Sequence, residues 1–269
     1  MQVWILPLLG DLPLVQRGFS EWSALVRSMS SKKLSQRTRE YVAGTLRRFM
    51  RHAQDRALPV HIPTSKQIGA QAPKHNRRLR VLTPDEAEKL LTTLAKLDSA
   101  TERLTRFCMP TGCRLSEAAH LTWAHVDLTC QTVYFVDTKN KDSRVVYLSL
   151  ELVKMLMALH GHNSNEIVFP RRDGRPFIDK EGRSDSPYSF SEAVKILGFN
   201  EVRGIGDRVT FHTSGHTAAM NLAKMLDVRS LMDVMGWKVI EMAVRYIHTQ
   251  EKTKHHAANA LSESCKSAH

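Results

Sequence analysis

The chain of 269 residues is short of three things: cysteine, long apolar runs and, over its first third, acidic residues. Its four cysteines, Cys108, Cys113, Cys130 and Cys265, have neither the density nor the CxxC pairing of a disulfide framework or a zinc site. They read as reduced thiols, and the expected compartment is the cytoplasm. No run approaches the ~20 apolar residues that cross a bilayer, so no membrane-spanning segment is expected. The apolar start Met1–Asp11 lacks a basic n-region and is broken by Pro7, Gly10 and the nearby Pro13, so a signal peptide is not expected either.

What is present is ordinary globular composition, 42% hydrophobic and 25% charged, enough for a buried core in one large or two modest domains. The charge is not ordinary. Lys and Arg total 39 against 27 Asp and Glu, a net charge of +12, which favours an anionic partner such as a nucleic acid or an acidic membrane. Residues 1–80 hold 15 basic and 4 acidic residues, whereas residues 81–269 are nearly balanced at +1.

From Leu34 to Gln54, Val42, Leu46, Phe49, Met50 and Ala53 recur at helical spacing and predict one buried stripe. Arg37, Arg47, Arg48 and Arg51 are expected on the opposite face, where only Glu40 and Asp55 could balance them. Such a helix can lie along phosphates while its other side joins a core. Residues 57–80, with three prolines, one glycine and no acid, read as a basic interdomain linker ending in Arg77, Arg78 and Arg80. The next helix announces itself: Thr83 as N-cap, Pro84 in the first turn and Glu86 three residues after the cap make a capping box. We therefore expect domains at 1–77 and 78–269, with a tail at 249–269.

In the second domain Pro110 and Gly112 predict a turn before Arg114 and a short helix, and residues 131–149 predict a β-hairpin with Lys139 and Lys141 near its tip. Further helices are expected at Leu150–Leu159, at Tyr188–Leu197 and from His212 to about Leu226. The fold class is mainly α with a small antiparallel sheet. His212 and His216 stand i, i+4 on one helical face, as zinc ligands can, but no third ligand is evident and no metal is expected.

The order Thr111-Gly112-Cys113-Arg114-Leu115-Ser116-Glu117, the Thr138-Lys139 hairpin, His212-Thr213-Ser214-Gly215-His216, Met235-Gly236-Trp237-Lys238 and Arg245-Tyr246-Ile247-His248 resembles the catalytic domain of tyrosine recombinases, the phage integrase family, over about residues 80–250. The basic N-terminal segment lies where that family keeps its core-binding domain; residues 1–33 carry no such match. The resemblance implies two domains closing as a clamp around double-stranded DNA, and strand exchange through a 3′-phosphotyrosyl intermediate without metal or cofactor. It also implies a homo-oligomer, a tetramer on two DNA sites, with the tail docking on a neighbouring protomer.

Phosphoryl transfer is catalysed by positioning and by cations around the phosphate oxygens, which suits these residue types. By resemblance, Arg114 clamps the scissile phosphate and Glu117 buttresses it. Lys139 is the general acid, with Lys141 as the alternative. His212 assists proton transfer with His216 in support, Trp237 donates its indole N–H, and Tyr246 is the nucleophile. The family's second arginine should stand where this sequence has Gly215. Loss of one preorganised donor costs about 2.7–4 kcal/mol, so DNA binding is expected to survive while cleavage is weak or absent. The alternative is a catalytically degenerate DNA-binding protein of recombinase descent.

Overall fold

The computed structural model describes residues 2–71, 80–136, 143–159, 165–201 and 207–247. The chain divides into two compact units, Met1–Arg77 and Arg78–His269.

The first unit is helical: α1 (Leu6–Leu9), α2 (Phe19–Ser31) and α3 (Gln36–Gln54). Trp22, Leu25, Val26 and Met29 bury one side of α2 against Val42, Ala43, Leu46, Met50 and Ala53 of α3. Ser35 caps α3, its hydroxyl accepting from Thr38 N at 3.1 Å. Two expectations change here. Phe49, at the edge of the apolar stripe, is exposed, and Arg47 is half-buried with its guanidinium 6.0 Å from the Trp22 ring. The expected linker also begins too early: Val60, Ile68 and Ala70 are buried in this unit's core. Their irregular spacing has no helical or strand period, so the sequence pattern conceals what core contact makes plain.

The second unit begins with α4 (Pro84–Leu97), whose capping box forms in full: Thr83 Oγ1 accepts from Glu86 N at 3.2 Å and the Glu86 carboxylate from Thr83 N at 3.0 Å. Next come α5 (Ser99–Thr111), α6 (Leu115–Ala119), β1 (Val126–Asp127), β2 (Thr132–Val136), β3 (Ser143–Tyr147), α7 (Leu150–Leu159), α8 (Tyr188–Ile196), α9 (His212–Leu222), α10 (Val228–Met235) and α11 (Ile240–Val244). The strands form an antiparallel sheet in the order β1-β2-β3. Alternation on β2 and β3 turns Val133, Phe135 and Val146 inward and leaves Tyr134, Val145 and Tyr147 exposed. Phe107 of α5 anchors the core, its ring 4.9 Å from Phe169 and 6.5 Å from Phe135. The mainly helical fold with a small antiparallel sheet is as expected, with β1 added.

Contrary to the expected turn, Pro110 lies inside the last turn of α5, and the chain reverses only at Gly112. Gly112 (φ 61°) and Gly236 (φ 64°) close α5 and α10 in the left-handed conformation that glycine adopts without penalty. Both also admit a close neighbour: a Cβ on Gly112 would stand 2.7 Å from Met235 Sδ, and one on Gly236 would stand 2.7 Å from Arg144 Cδ. These two caps set where Arg114 and Trp237 leave their helices. Gly112→Ala should cost roughly 1–2 kcal/mol through the left-handed backbone alone, read as a lowered denaturation midpoint of the full chain; an unchanged midpoint would contradict this packing.

Candidate active site

Arg114 sits at the N-terminus of α6 in extended conformation, with 53% of its side chain exposed. Its backbone N–H donates to Glu117 Oε2 at 2.7 Å and its Nη1 to Glu117 Oε1 at 2.9 Å. Both bonds follow from the i, i+3 geometry of one helical turn. Glu117 has a second partner: Nη2 of Arg144, on the inner face of β3, donates to Oε2 at 2.8 Å. The carboxylate is thus held between an exposed guanidinium and a buried one.

Arg144 in turn donates Nη1 to the carbonyl of Val234 near the end of α10, and its guanidinium lies 5.3 Å from the Phe135 ring. Beyond the Gly236 cap, Trp237 stacks on Tyr246 with ring centroids 5.3 Å apart and planes 17° from parallel. The Tyr246 hydroxyl is hydrogen-bonded to Nδ1 of His216 on α9. A continuous series of contacts therefore joins Arg114, Glu117, Trp237, Tyr246 and His216, five residues that the sequence singled out. An open concavity of about 440 Å³ is lined by Arg114, Glu117, Arg144, Gly236, Trp237 and Lys238.

Tyr246 is only 3% exposed and belongs to a small core with Ala219, Leu231, Met235 and Ala243. Burial pushes its phenol above the usual value, with Arg245 opposing. His216 is half-buried, and desolvation, reinforced by its proximity to His212 and to the Arg245 guanidinium, lowers its pKa. Its imidazole is therefore neutral near pH 7. His212 opens α9 with an exposed side chain one turn before His216. Gly215 lies on the same helix, and a Cβ built there would meet nothing within 4 Å.

The remaining sequence candidates fall elsewhere. Lys139, Lys141, Arg77 and Arg78 lie outside the described residues. Arg80 is taken up at the start of α4, pairing with Glu86 at 2.5 Å with 10% of its side chain exposed, so it is not open to a ligand. Arg37 pairs with Glu40 at 2.8 Å, and Arg48 donates to Thr45 Oγ1 at 3.2 Å. Arg47 donates weakly to the Pro63 carbonyl at 3.4 Å, and with Arg51, His61 and Thr64 it lines a groove of the first unit. No group of three metal-ligating side chains occurs among the described residues, nor a helix long and apolar enough to cross a membrane. Arg144 is the site residue that sequence reasoning missed; its only signal was a charge at an inward position of an alternating strand.

The family model described as Phage integrase family matches residues 80–253. The integrase of Salmonella phage P22 is 24% identical over 203 residues, which is 72% of this chain and 48% of that protein. A tyrosine recombinase of Pseudothermotoga lettingae is 27% identical over 247 residues, 87% of this chain and 78% of its own. The chain spans about half or less of the length of the P22 and Haemophilus phage HP1 integrases that it matches. The structure of the Tn1549 transposon integrase in complex with transposon right end DNA superposes with a TM-score of 0.71 at 18% identity, covering 94% of this chain and 88% of that one. A lambda integrase tetramer bound to a Holliday junction gives 0.65 at 18% identity, covering 87% and 68%. At such identities the likeness is one of fold. The family match, however, extends over more than half of the chain and through every motif from Arg114 to Tyr246, and the protein belongs to the phage integrase family of tyrosine recombinases.

Proposed function

We propose that the protein is a site-specific DNA recombinase that breaks and rejoins strands through a 3′-phosphotyrosine at Tyr246. The observation that carries this reading is the contact series that joins a half-exposed arginine to a buried tyrosine through Glu117, Arg144 and Trp237. Arg114 keeps part of its guanidinium open to the concavity and serves as the phosphate clamp. Trp237 supplies an indole donor, His212 assists proton transfer, and Lys139 or Lys141 protonates the leaving 5′-oxygen. The step balances: the Tyr246 hydroxyl passes its proton to His212 as its oxygen bonds to phosphorus, the bond from phosphorus to the 5′-oxygen breaks, that oxygen takes a proton from Lys139 or Lys141, and the reversal reseals the strand.

In this conformation the nucleophile is not ready. Its hydroxyl is engaged by His216 and packed in a core, so the attacking geometry requires Tyr246 to leave this contact. Double-stranded DNA is the partner, with Arg48 and Arg51 on the exposed face of α3 as phosphate contacts of a core-binding unit and residues 78–269 as the catalytic unit. Assembly of four protomers on two DNA sites belongs to the same reading, through the kinship with the lambda tetramer.

A second reading, a DNA-binding protein that no longer cleaves, is favoured by Gly215, where the family's second arginine is due. The space around Gly215 bears on both readings, because an arginine there would meet no obstruction in its first atom. On a nicked suicide duplex built on the DNA that the protein protects, Gly215→Arg should raise covalent adduct about 10²–10³-fold, the value of one preorganised donor. Tyr246→Phe in that background should abolish it, and equal adduct with glycine and arginine would contradict the impairment. Arg51→Gln should reduce the slope of log affinity on log salt by about 0.9 without altering sequence preference; an unchanged slope would remove Arg51 from the interface.

The lowered pKa of His216 has its own consequence. Because the folded state binds this proton less readily than the unfolded chain, its contribution to stability is intact above the ordinary imidazole value of about 6.5. It is lost as pH falls through the lowered folded value. Thermal midpoints should therefore decline on acidification below pH ~6.5, less steeply in His216→Gln; parallel declines would contradict the assignment.

A further inference from the structure

Arg144 is one of the less exposed charged side chains of the second unit, with 11% of its side chain in contact with solvent. Burying a guanidinium is costly unless its donors are satisfied, and here its two amino groups are spent on two different pieces of chain. Nη2 meets Glu117 on α6, and Nη1 meets the Val234 carbonyl on α10. The guanidinium carbon lies over the Phe135 ring of the neighbouring strand, and the aliphatic stem runs where a Cβ on Gly236 would intrude. Nε is buried without a partner, so nothing but this arrangement offsets the desolvation of the group.

We propose that Arg144 is a positioning residue for the active site. It ties Arg114, through Glu117, to the Gly236–Trp237 turn, so that a phosphate bound by Arg114 lies within reach of Trp237 and of the tyrosine stacked on it. Lysine cannot replace it: a single ammonium has no planar fork with which to serve a carboxylate on one side and a carbonyl on the other. The role rests on the recombinase reading for its effect on catalysis, whereas its effect on the Trp237 turn does not.

The test separates the two. Protein labelled with 5-fluorotryptophan carries four fluorine signals, from Trp4, Trp22, Trp123 and Trp237, and Trp237→Phe assigns the last. In full-length Arg144→Lys, shown by its circular dichroism and melting to be folded, the Trp237 signal should shift or broaden while those of Trp4, Trp22 and Trp123 stay in place. Glu117→Gln, which keeps the shape of the carboxylate, supplies a second variant and should move the same signal in the same direction. In the Gly215→Arg background at saturating DNA, Arg144→Lys should slow adduct formation roughly 10–100-fold, as a misplacement near 1 Å does. Adding Glu117→Gln should slow it little further, because both act through one contact. An unmoved Trp237 signal in folded Arg144→Lys overturns the proposal whatever the adduct rate. Absence of any adduct in Gly215→Arg itself overturns the recombinase reading, and the fluorine spectrum then decides Arg144 alone.

Discussion

The second unit is organised around one carboxylate. Glu117 is 14% exposed and accepts three hydrogen bonds, from the backbone and side chain of Arg114 and from Arg144. A carboxylate in such a place survives only if it is paired and fully bonded, and removing one partner of a buried pair costs about 3–5 kcal/mol. That requirement reaches outward in two directions. It fixes the first turn of α6, and with it the direction in which Arg114 leaves the helix. It also holds β3 against the end of α10, so that the turn carrying Trp237 is placed by the same charge.

The glycines at the two helix ends make this geometry possible. Gly112 and Gly236 turn the chain through a left-handed residue, and each also lacks the atom that would push Met235 or Arg144 away. Gly215 is a different case. It sits within α9, needs no unusual backbone, and a Cβ there would meet nothing within 4 Å. The first two glycines are demanded by packing; the third is an absence of charge. On the proposed reading, a site with one exposed arginine, an indole donor and a sequestered tyrosine, but with glycine where a second guanidinium is due, holds a phosphodiester better than it cleaves one.

Much of this could be read from the sequence because it is written in local chemistry. The Thr83–Glu86 capping box, the apolar stripe of α3 and the alternation of β2 and β3 depend on spacings of two to four residues and reappear in the fold. The site motifs were legible for the same reason, each being a short segment whose order along the chain carries the resemblance. What escaped was contact between segments distant in sequence. Arg144 is separated from Val234 by 90 residues, and nothing in the strand announces that pairing. Val60, Ile68 and Ala70 were hidden in a proline-bearing stretch with no period. Arg47 looked like a member of a solvent stripe, yet it lies at the stripe's edge, where its stem packs and its head group reaches Trp22. Helix α2 has no side-chain cap to announce it, although Trp22, Leu25, Val26 and Met29 follow the i, i+3, i+4, i+7 rule.

The central claim is that Tyr246 becomes covalently joined to DNA once the cationic site is complete. The most direct measurement is mass spectrometry of the Gly215→Arg variant after reaction with the suicide duplex, nuclease digestion and trypsin. The account predicts a nucleotide on the tryptic peptide that begins at Tyr246. A nucleotide on any other residue, or none on that peptide although the protein binds the duplex, would contradict it.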